Sequence, residues 1–289
     1  MNSKFTNWLL FIALCFIWGS SFILMKEGLK VLTAYEVAAL RMLSAGIVLI
    51  PFFIQALKQM NRKEIGLAIL TGVLGSFIPA VLFCVAETKI DSALAGMLNS
   101  LTPLFVISVG AVFFNSKVPW KKTLGVLTGF AGMLFLFFTN KPHAAEGNFA
   151  YTSLILLATF CYGVNVNIIS HRLKHIASIQ LASVAFVFLI PPSLALLYFS
   201  GYFNYSFHEA GFLKSTGASS VLGIFGTAFA TILFYMLLKR AGALFSSMVT
   251  YGVPFVAVLW GLLAGETISY VQIIGLLIIL SGVYLANRQ

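Results

Sequence analysis

Charged side chains are scarce in this chain. Of its 289 residues only 9% are charged, with 8 acidic residues in all, and 60% are hydrophobic. A soluble domain typically carries about 25% charged and 45–50% apolar residues. Both departures point the same way and exclude a soluble globular enzyme. They also exclude a disordered chain, because disordered chains are poor in apolar residues. The composition indicates an integral membrane protein with little mass outside the bilayer.

Residue sets that support catalysis, metal binding or nucleotide binding are also missing. The three cysteines, Cys15, Cys84 and Cys161, are dispersed in apolar runs without disulfide or metal-site spacing. His171 and His175 are one helical turn apart, as metal ligands can be, but the basic residues beside them favour a membrane-boundary position. A Gly-x4-Gly-Lys loop for ATP is absent, and no apolar run contains paired carboxylates or a nucleophile with a base. We therefore predict no enzyme activity, no metal and no cofactor.

Ten apolar runs follow one another along the chain, and most are long enough to cross a hydrocarbon core of about 30 Å as a helix. The runs are continuously apolar rather than alternating, which favours helices over a β-barrel. We predict an all-α integral membrane protein with ten transmembrane helices. Their approximate spans are Trp8–Met25, Glu36–Ala56, Ile65–Glu87, Ser92–Phe114, Thr123–Thr139, Phe149–Ser170, Ile179–Tyr198, Ser219–Leu238, Leu244–Gly265 and Val271–Ala286.

The cations are distributed unequally between the two sides that these spans would create. Five lysines fall on one side, Arg41 lies within a span, and the remaining twelve of the 18 Lys and Arg residues fall on the other side. The positive-inside rule assigns the richer side to the cytoplasm. We therefore predict a multi-pass protein of the inner (plasma) membrane with both termini cytoplasmic. The scattered placement also argues against a nucleic-acid surface despite the net charge of +10.

The two halves of the chain resemble each other in order. A shift of 151 residues places Gly72 on Gly223, Gly75 on Gly226 and Pro103 on Pro254, and a shift of 144 places Trp18 on Tyr162. Five spans per repeat is an odd number, so the second copy would enter the membrane upside down. Inverted repeats are typical of secondary transporters whose substrate site lies near the midplane. We predict two inverted five-helix repeats, residues 1–140 and residues 141–289.

Short motifs also run through the chain in a fixed order. They are Trp18-Gly19-Ser20-Ser21-Phe22 in the first span, Arg41 in the second, the Pro103 and Pro254 spans, and Gly265-Glu266 followed by a Gly275 to Gly282 helix. This set resembles the EamA-like family of the drug/metabolite transporter superfamily over nearly the whole chain. The resemblance implies a ten-helix fold of two inverted repeats and export of small metabolites, often amino acids. One departure is Asn115 in the first half where the second half has Glu266.

Arg41 is the only basic residue deep inside a predicted span. A charge at mid-bilayer costs from about 3 to more than about 10 kcal/mol depending on the method, so Arg41 should face a cavity or a partner. One hypothesis is that it anchors a substrate carboxylate. The other is that it joins helices through carbonyl oxygens or Glu36. Five residues turn a helix by about 500°, which leaves Glu36 roughly 140° away as an imperfect local partner.

Hydrogen-bonding and aromatic side chains inside other spans form a second group of candidates. A proline frees the carbonyl one turn before it, so residues beside Pro103 and Pro254 could offer acceptors to a substrate ammonium. Trp18 and Tyr162 would add aromatic walls and cation–π attraction. Packing between helices is the competing interpretation of these residues. The predicted substrate-binding residues are Trp18, Ser21, Arg41, Asn99, Thr102, Pro103, Tyr162, Asn165, Tyr235, Thr250, Tyr251 and Pro254.

These features together predict a secondary transporter that exports amino acids or related amphipathic solutes by alternating access around a midplane cavity. The alternative is a membrane-embedded interaction or sensory subunit that moves no solute. The expected partners are a small-molecule substrate and the lipid bilayer, with a homodimer left open and nucleic acid excluded.

Overall fold

The computed structural model of the chain describes residues 3–90, 92–139, 149–206, 209–263 and 270–287. Every regular element in these ranges is a helix. Six helical stretches are long and apolar enough to cross a membrane, namely Lys4–Gly28, Ala34–Gln59, Arg62–Glu87, Ala150–Arg172, Ser178–Ser200 and Phe212–Ala241. Shorter apolar helices cover Thr102–Phe114, Ala243–Val256 and Ile273–Leu285. The chain is therefore an all-helical, multi-pass membrane protein.

The α-helices are α1 (Ser3–Gly28), α2 (Ala34–Gln59), α3 (Arg62–Gly72), α4 (Ile78–Glu87), α5 (Ser92–Asn99), α6 (Thr102–Phe114), α7 (Trp120–Thr139), α8 (Phe149–Arg172), α9 (Ser178–Val187), α10 (Ile190–Ser200), α11 (Phe212–Val221), α12 (Ala230–Ala241), α13 (Ala243–Ser247), α14 (Val249–Leu263) and α15 (Tyr270–Asn287). A short 3₁₀-helix covers Tyr202–Asn204. The predicted repeat boundary at 140/141 and the motif residues Gly265 and Glu266 lie outside the described residues.

The helix ends follow from local chemistry. Thr33 and Glu36 form a capping box at the start of α2, in which the Glu36 carboxylate accepts from the Thr33 amide at 2.7 Å. Asn61 and Glu64 form the same arrangement at the start of α3. At the end of α6, Asn115 takes the left-handed conformation with φ of 50°, which asparagine tolerates better than most residues.

Two π-helical segments interrupt long helices at matching places in the two halves. Val73–Phe77 joins α3 to α4, and Leu222–Phe229 joins α11 to α12. A shift of 151 residues carries the first segment to 224–228, which lies inside the second. We call these the π turns. Such turns widen the helix locally and occur frequently at functional sites.

Equivalent glycines contact the opposite half of the chain, one immediately before the first π turn and one inside the second. A Cβ on Gly72 would lie 2.5 Å from the carbonyl oxygen of Ala185, and one on Gly223 would collide with the carbonyl oxygen of Arg41. The two glycines are related by the shift of 151 residues, and Arg41 and Ala185 by the shift of 144. Only glycine permits backbones to approach so closely at these two positions.

The helices form a main bundle and a peripheral pair. In the bundle, α2 contacts α9, α10 and α11, α1 contacts α11, α12 and α14, and α8 contacts α4 and α6. Helices α7 and α15 pack chiefly against each other, at a crossing where Gly132 and Gly282 bring the backbones together. The space enclosed by the main bundle contains the candidate site.

Candidate functional site

A central cavity lies within the main bundle. It encloses about 920 Å³ of empty space, counting the part open to solvent. Nine of the twelve predicted residues line it, namely Trp18, Ser21, Arg41, Asn99, Thr102, Tyr162, Asn165, Tyr235 and Thr250. They come from helices of both halves, so the predicted residues converge on one space.

Arg41 provides the only charged side chain among the described lining residues of the central cavity. Its Nε donates a hydrogen bond of 2.5 Å to Thr227 Oγ1 in the second π turn. Glu36 is not its partner, because that carboxylate caps α2 through Thr33. The bond to Thr227 uses only one of the five N–H donors of a guanidinium. The terminal nitrogens, which form the planar fork that matches a carboxylate, make no hydrogen bond within the described residues.

Two aromatic pairs form facing parts of the wall, and each pair joins the two halves. The Trp18 ring lies 5.3 Å from Phe234, and the Tyr162 ring lies 6.2 Å from Phe83. The repeat shifts place Trp18 on Tyr162 and Phe83 on Phe234, so the pairs are equivalent. Trp18 is further fixed by a 3.1 Å hydrogen bond from Nε1 to the Gly226 carbonyl oxygen. Such surfaces suit an apolar side chain or an ammonium group.

Replacing Trp18 with phenylalanine keeps most of the bulk but removes the indole N–H and weakens the cation–π face. Loss of the hydrogen bond and weakening of the cation–π contact together amount to roughly 0.5–2 kcal/mol, so we expect the half-saturating solute concentration in a flux assay to rise about 3- to 30-fold. Trp260→Phe is the matched control, because Trp260 Nε1 donates to Ser20 Oγ at 2.8 Å outside the cavity wall. Equal shifts in both variants would assign Trp18 to packing alone.

The residues beside the two prolines surround breaks in the helices. α5 ends at Asn99 and α6 begins at Thr102, while α13 ends at Ser247 and α14 begins at Val249. Thr102 Oγ1 donates to the Asn99 carbonyl at 2.7 Å, and Ser100 Oγ donates to the Thr250 carbonyl at 3.1 Å. These are the carbonyls four residues before Pro103 and Pro254, so hydroxyl groups of the protein already satisfy them. A carbonyl oxygen can accept a second hydrogen bond, so the offer of these acceptors to a substrate ammonium stays a prediction.

Asn165 and Ser21 occupy equivalent places against the two π turns. The Asn165 amide covers Gly75, and Ser21 Oγ covers Gly226, where an added Cβ would lie 2.7 Å away. Ser21 Oγ donates within its own helix to the Ile17 carbonyl at 2.8 Å. Asn165 Oδ1 is buried and has no hydrogen-bond partner within the described residues. A buried acceptor left without a donor is costly, which marks Asn165 as a polar group available to a ligand.

Three predicted residues lie away from the cavity wall. Tyr251 is fully buried on the opposite side of α14, where its hydroxyl donates to the Val126 carbonyl of α7 at 3.1 Å. Pro103 and Pro254 are buried in α6 and α14 and do not line the cavity. Adjacent residues on a helix point about 100° apart, so Thr250 and Tyr251 face different neighbours. Tyr251 therefore joins α14 to α7.

Sequence reasoning missed the residues that the π turns contribute. Gly75 and Ser76 from the first turn and Gly226 and Thr227 from the second all line the cavity. The signal was present in the repeat, because the matched glycines Gly75 and Gly226 are each followed by a hydroxyl residue. The other lining residues outside the predicted substrate-binding set are Phe22, Met25, Phe83, Val166, Thr231, Phe234 and Ser247.

Comparison with known families identifies the type of protein. The model of the EamA-like transporter family matches residues 6–138 and matches again at residues 150–288. The chain belongs to the EamA-like transporter family. This EamA-like chain is therefore a membrane transporter and not an enzyme.

Individual relatives of the EamA-like chain are similar over nearly its whole length. An uncharacterised transporter of Archaeoglobus fulgidus is 24% identical over 98% of this chain and 99% of that protein. A Salmonella typhimurium protein named "Probable amino-acid metabolite efflux pump" is 26% identical over 93% of this chain and 90% of its own. An uncharacterised inner membrane transporter of Escherichia coli is 26% identical over 95% and 88%. A crystal structure of another protein shares the fold, with a TM-score of 0.72 and 17% identity over 96% of this chain and 95% of that one.

Proposed function

We propose that this transporter exports amino acids or related amphipathic metabolites by alternating access around the central cavity. One observation carries the proposal. Thr227 Oγ1 holds the cationic guanidinium of Arg41 at the wall of the cavity, and the other described lining residues are uncharged and in part aromatic. A planar guanidinium recognises carboxylates through paired hydrogen bonds. The name of the Salmonella relative, an amino-acid metabolite efflux pump, supports the same solute class.

A zwitterionic solute matches the polarity of the described wall. Its carboxylate would bind the terminal nitrogens of Arg41, and its ammonium would donate to Asn165 Oδ1, the buried acceptor that lacks a partner. The rings of Trp18 and Tyr162 would cover the apolar part of the solute and attract the ammonium. A few fixed polar groups in a mainly apolar cavity are the usual composition of a small-molecule site.

We further propose that the chain spans the membrane ten times as two inverted repeats, residues 1–140 and 141–289. In support, the family model matches twice, and the helices group into ten rods when α3 with α4, α5 with α6, α9 with α10, α11 with α12 and α13 with α14 are joined. Gly19 packs against Val256 as Gly163 packs against Phe105, and both pairs are related by the same shifts. Such exchanged contacts are expected of a two-fold axis in the membrane plane.

We also propose that the protein lies in the inner membrane with both termini in the cytoplasm. Cysteines introduced at Asn61 and Thr216 test it, because α3 begins beside Asn61 and Thr216 lies in the first turns of α11, at the opposite end of the bundle. An impermeant thiol reagent should label Thr216→Cys in intact cells and Asn61→Cys only after permeabilisation. The native cysteines are buried and give a low background. Labelling of Asn61→Cys from outside would overturn the orientation.

A contact that involves a carboxylate joins the two halves of the chain at each end of the bundle, at equivalent helix junctions. At one end Glu27 of α1 pairs with Lys214 of α11 at 2.7 Å. At the other end His175, which follows α8, lies with Nε2 2.7 Å from Glu64 Oε1 of α3, a hydrogen-bond contact that becomes an ion pair when the imidazole is protonated. Each pair joins one half of the chain to the other. We propose that they open alternately, so that the central cavity faces one side of the membrane at a time.

Neutralising one pair should favour opening at that end alone. In a chain with its native cysteines replaced by alanine, a cysteine at Thr231 of the cavity wall reports access from either side. We expect Glu27→Gln to raise its labelling rate from the Lys214 end roughly two- to fivefold, the scale of an exposed ion pair, and Glu64→Gln to raise it from the His175 end. Equal acceleration from both sides in both variants would contradict separate gates.

Solute flux decides between the proposed transporter and a sensory subunit without flux. Purified protein in sealed vesicles preloaded with an unlabelled amino acid should accumulate the labelled form by exchange, above the level in protein-free vesicles. A sensory subunit would bind solute and show a thermal shift without exchange. Binding without exchange across a panel of amino acids and related amphipathic metabolites would therefore refute the transport proposal.

A further inference from the structure

An apolar groove runs along the outside of the bundle between α1, α14 and α15. We call it the α1–α15 groove. Its walls are Trp8 and Phe11 of α1, Gly252 and Phe255 of α14, and Leu280 and Tyr284 of α15, and it encloses about 770 Å³, counting its open side. The groove is separate from the central cavity, since the two share no described lining residue.

The groove is left open because α15 packs chiefly against α7. Its α1 wall is held in place by rings. Trp8 meets Phe11 at 5.4 Å and Phe245 of α13 at 5.3 Å, both edge-on, and Phe11 meets Phe245 at 5.3 Å. A gap with fixed walls in a membrane leaves its lining short of van der Waals partners unless a flexible apolar chain fills it.

Two exposed cations lie near Trp8, which lines the groove at the end closest to the start of α1; we call this end the groove mouth. Arg240, which is exposed, donates from Nε to Asn7 Oδ1 at 3.0 Å and is thereby held beside Trp8. Lys4 is also exposed and precedes Trp8 by one helical turn, on the same face of α1. No carboxylate forms an ion pair with either cation within the described residues. The mouth therefore carries positive charge at the level where lipid headgroups lie.

We propose that the α1–α15 groove binds an anionic phospholipid, with one acyl chain between the aromatic walls and the phosphate at Arg240 and Lys4. A zwitterionic lipid offers the same chain, but its headgroup brings a cation of its own to the same mouth. The positive charge of Arg240 and Lys4 therefore favours an anionic lipid over a zwitterionic one. The apolar groove favours a molecule with an acyl chain over free phosphate. The site requires neither transport nor a particular orientation of the protein in the membrane.

Tryptophan quenching by brominated lipid tests this site. The protein is reconstituted in phosphatidylcholine vesicles that contain the same small mole fraction of either brominated phosphatidylglycerol or brominated phosphatidylcholine. The signal of Trp8 is obtained as the difference between the parent and Trp8→Phe. We expect the phosphatidylglycerol probe to quench Trp8 at least about twice as strongly as the phosphatidylcholine probe. Arg240→Gln should abolish the excess, and Lys58→Gln, which removes an exposed cation from α2, should retain it.

Three results would overturn the proposal. Equal quenching of Trp8 by the two brominated lipids would show a general lipid surface. If Arg240→Gln retains the stronger quenching of Trp8 by phosphatidylglycerol, the lipid preference does not arise from the cation at the groove mouth. Protection of Trp8 from both probes, with crosslinking between chains through a cysteine at Leu280, would assign the groove to a second copy of the chain.

Discussion

Replacing Arg41 with alanine is expected to abolish exchange of amino acids while leaving the protein folded and inserted. Two hydrogen bonds from a guanidinium to a carboxylate would be lost, and hydrogen bonds to charged groups contribute about 1.5–3 kcal/mol each, so exchange at limiting solute should fall at least about a hundredfold. Folding should survive, because the Arg41 side chain is bonded only to Thr227 within the described residues and that hydroxyl also contacts the Leu222 carbonyl. The measurements are initial exchange rates and the unfolding temperature in detergent.

Two further variants separate recognition from positioning. Arg41→Lys keeps the charge without the planar fork and should retain partial activity. Thr227→Val removes the hydroxyl that orients Nε and should raise the half-saturating concentration about tenfold, the effect of one hydrogen bond to a charged group, with the maximal rate less affected. Full exchange in Arg41→Ala would leave the arginine only a packing role.

Replacing Gly223 with alanine should strongly destabilise the fold. The added Cβ would collide with the Arg41 carbonyl oxygen, and it would also press on the Ser44 side chain. Backbone atoms cannot yield as a flexible side chain can, so α2 must shift away from the second π turn. Overpacking of this kind costs about 1–3 kcal/mol or more, which corresponds to a fall of roughly 3–10 °C in the unfolding temperature. Exchange should fall as well, because Arg41 moves with α2.

Gly217→Ala is the matched control in the same helical rod. Gly217 of α11 is exposed and has open space where a Cβ would be added. Alanine is favoured over glycine in a helix by up to about 1 kcal/mol, so the unfolding temperature should stay unchanged or rise slightly. Similar unfolding temperatures for Gly217→Ala and Gly223→Ala would contradict the close approach of α2 to the π turn.

The helices were largely predictable from the sequence, because apolar runs of membrane-spanning length are set by composition. Each predicted run falls within one helix or two consecutive helices, apart from the end of the ninth run, which lies outside the described residues. The interruptions were not predictable. Apolar runs alone do not distinguish an α-helical turn from a π turn such as Val73–Phe77. The turn coincides with close contacts to the other half, where Gly72 just before it meets Ala185 and Gly75 within it meets Asn165.

The residue types of the candidate site were predictable from the sequence. The directions in which their side chains point were less predictable. Arg41 was expected to face a cavity or a partner, since a charge inside the membrane has few alternatives, and the structure places it at the central cavity with a bond to Thr227. Thr250 and Tyr251 were predicted together because they are neighbours in sequence, yet only Thr250 lines the cavity. Thr227 was missed because a threonine in an apolar run carries no sign of a partner 186 positions away. Long-range pairing decides such roles, and one sequence does not reveal it.

Exchange by the purified parent protein, with three matched solutes, tests recognition of the carboxylate in the central cavity most directly. The solutes are an apolar amino acid, its carboxamide and its decarboxylated amine, which differ only in the group that Arg41 would bind. We predict exchange of the amino acid in sealed vesicles, and rates for the amide and the amine that are lower by at least about a hundredfold, as for loss of Arg41 itself. Equal exchange of all three solutes, or exchange of none, would contradict a transport site built on Arg41.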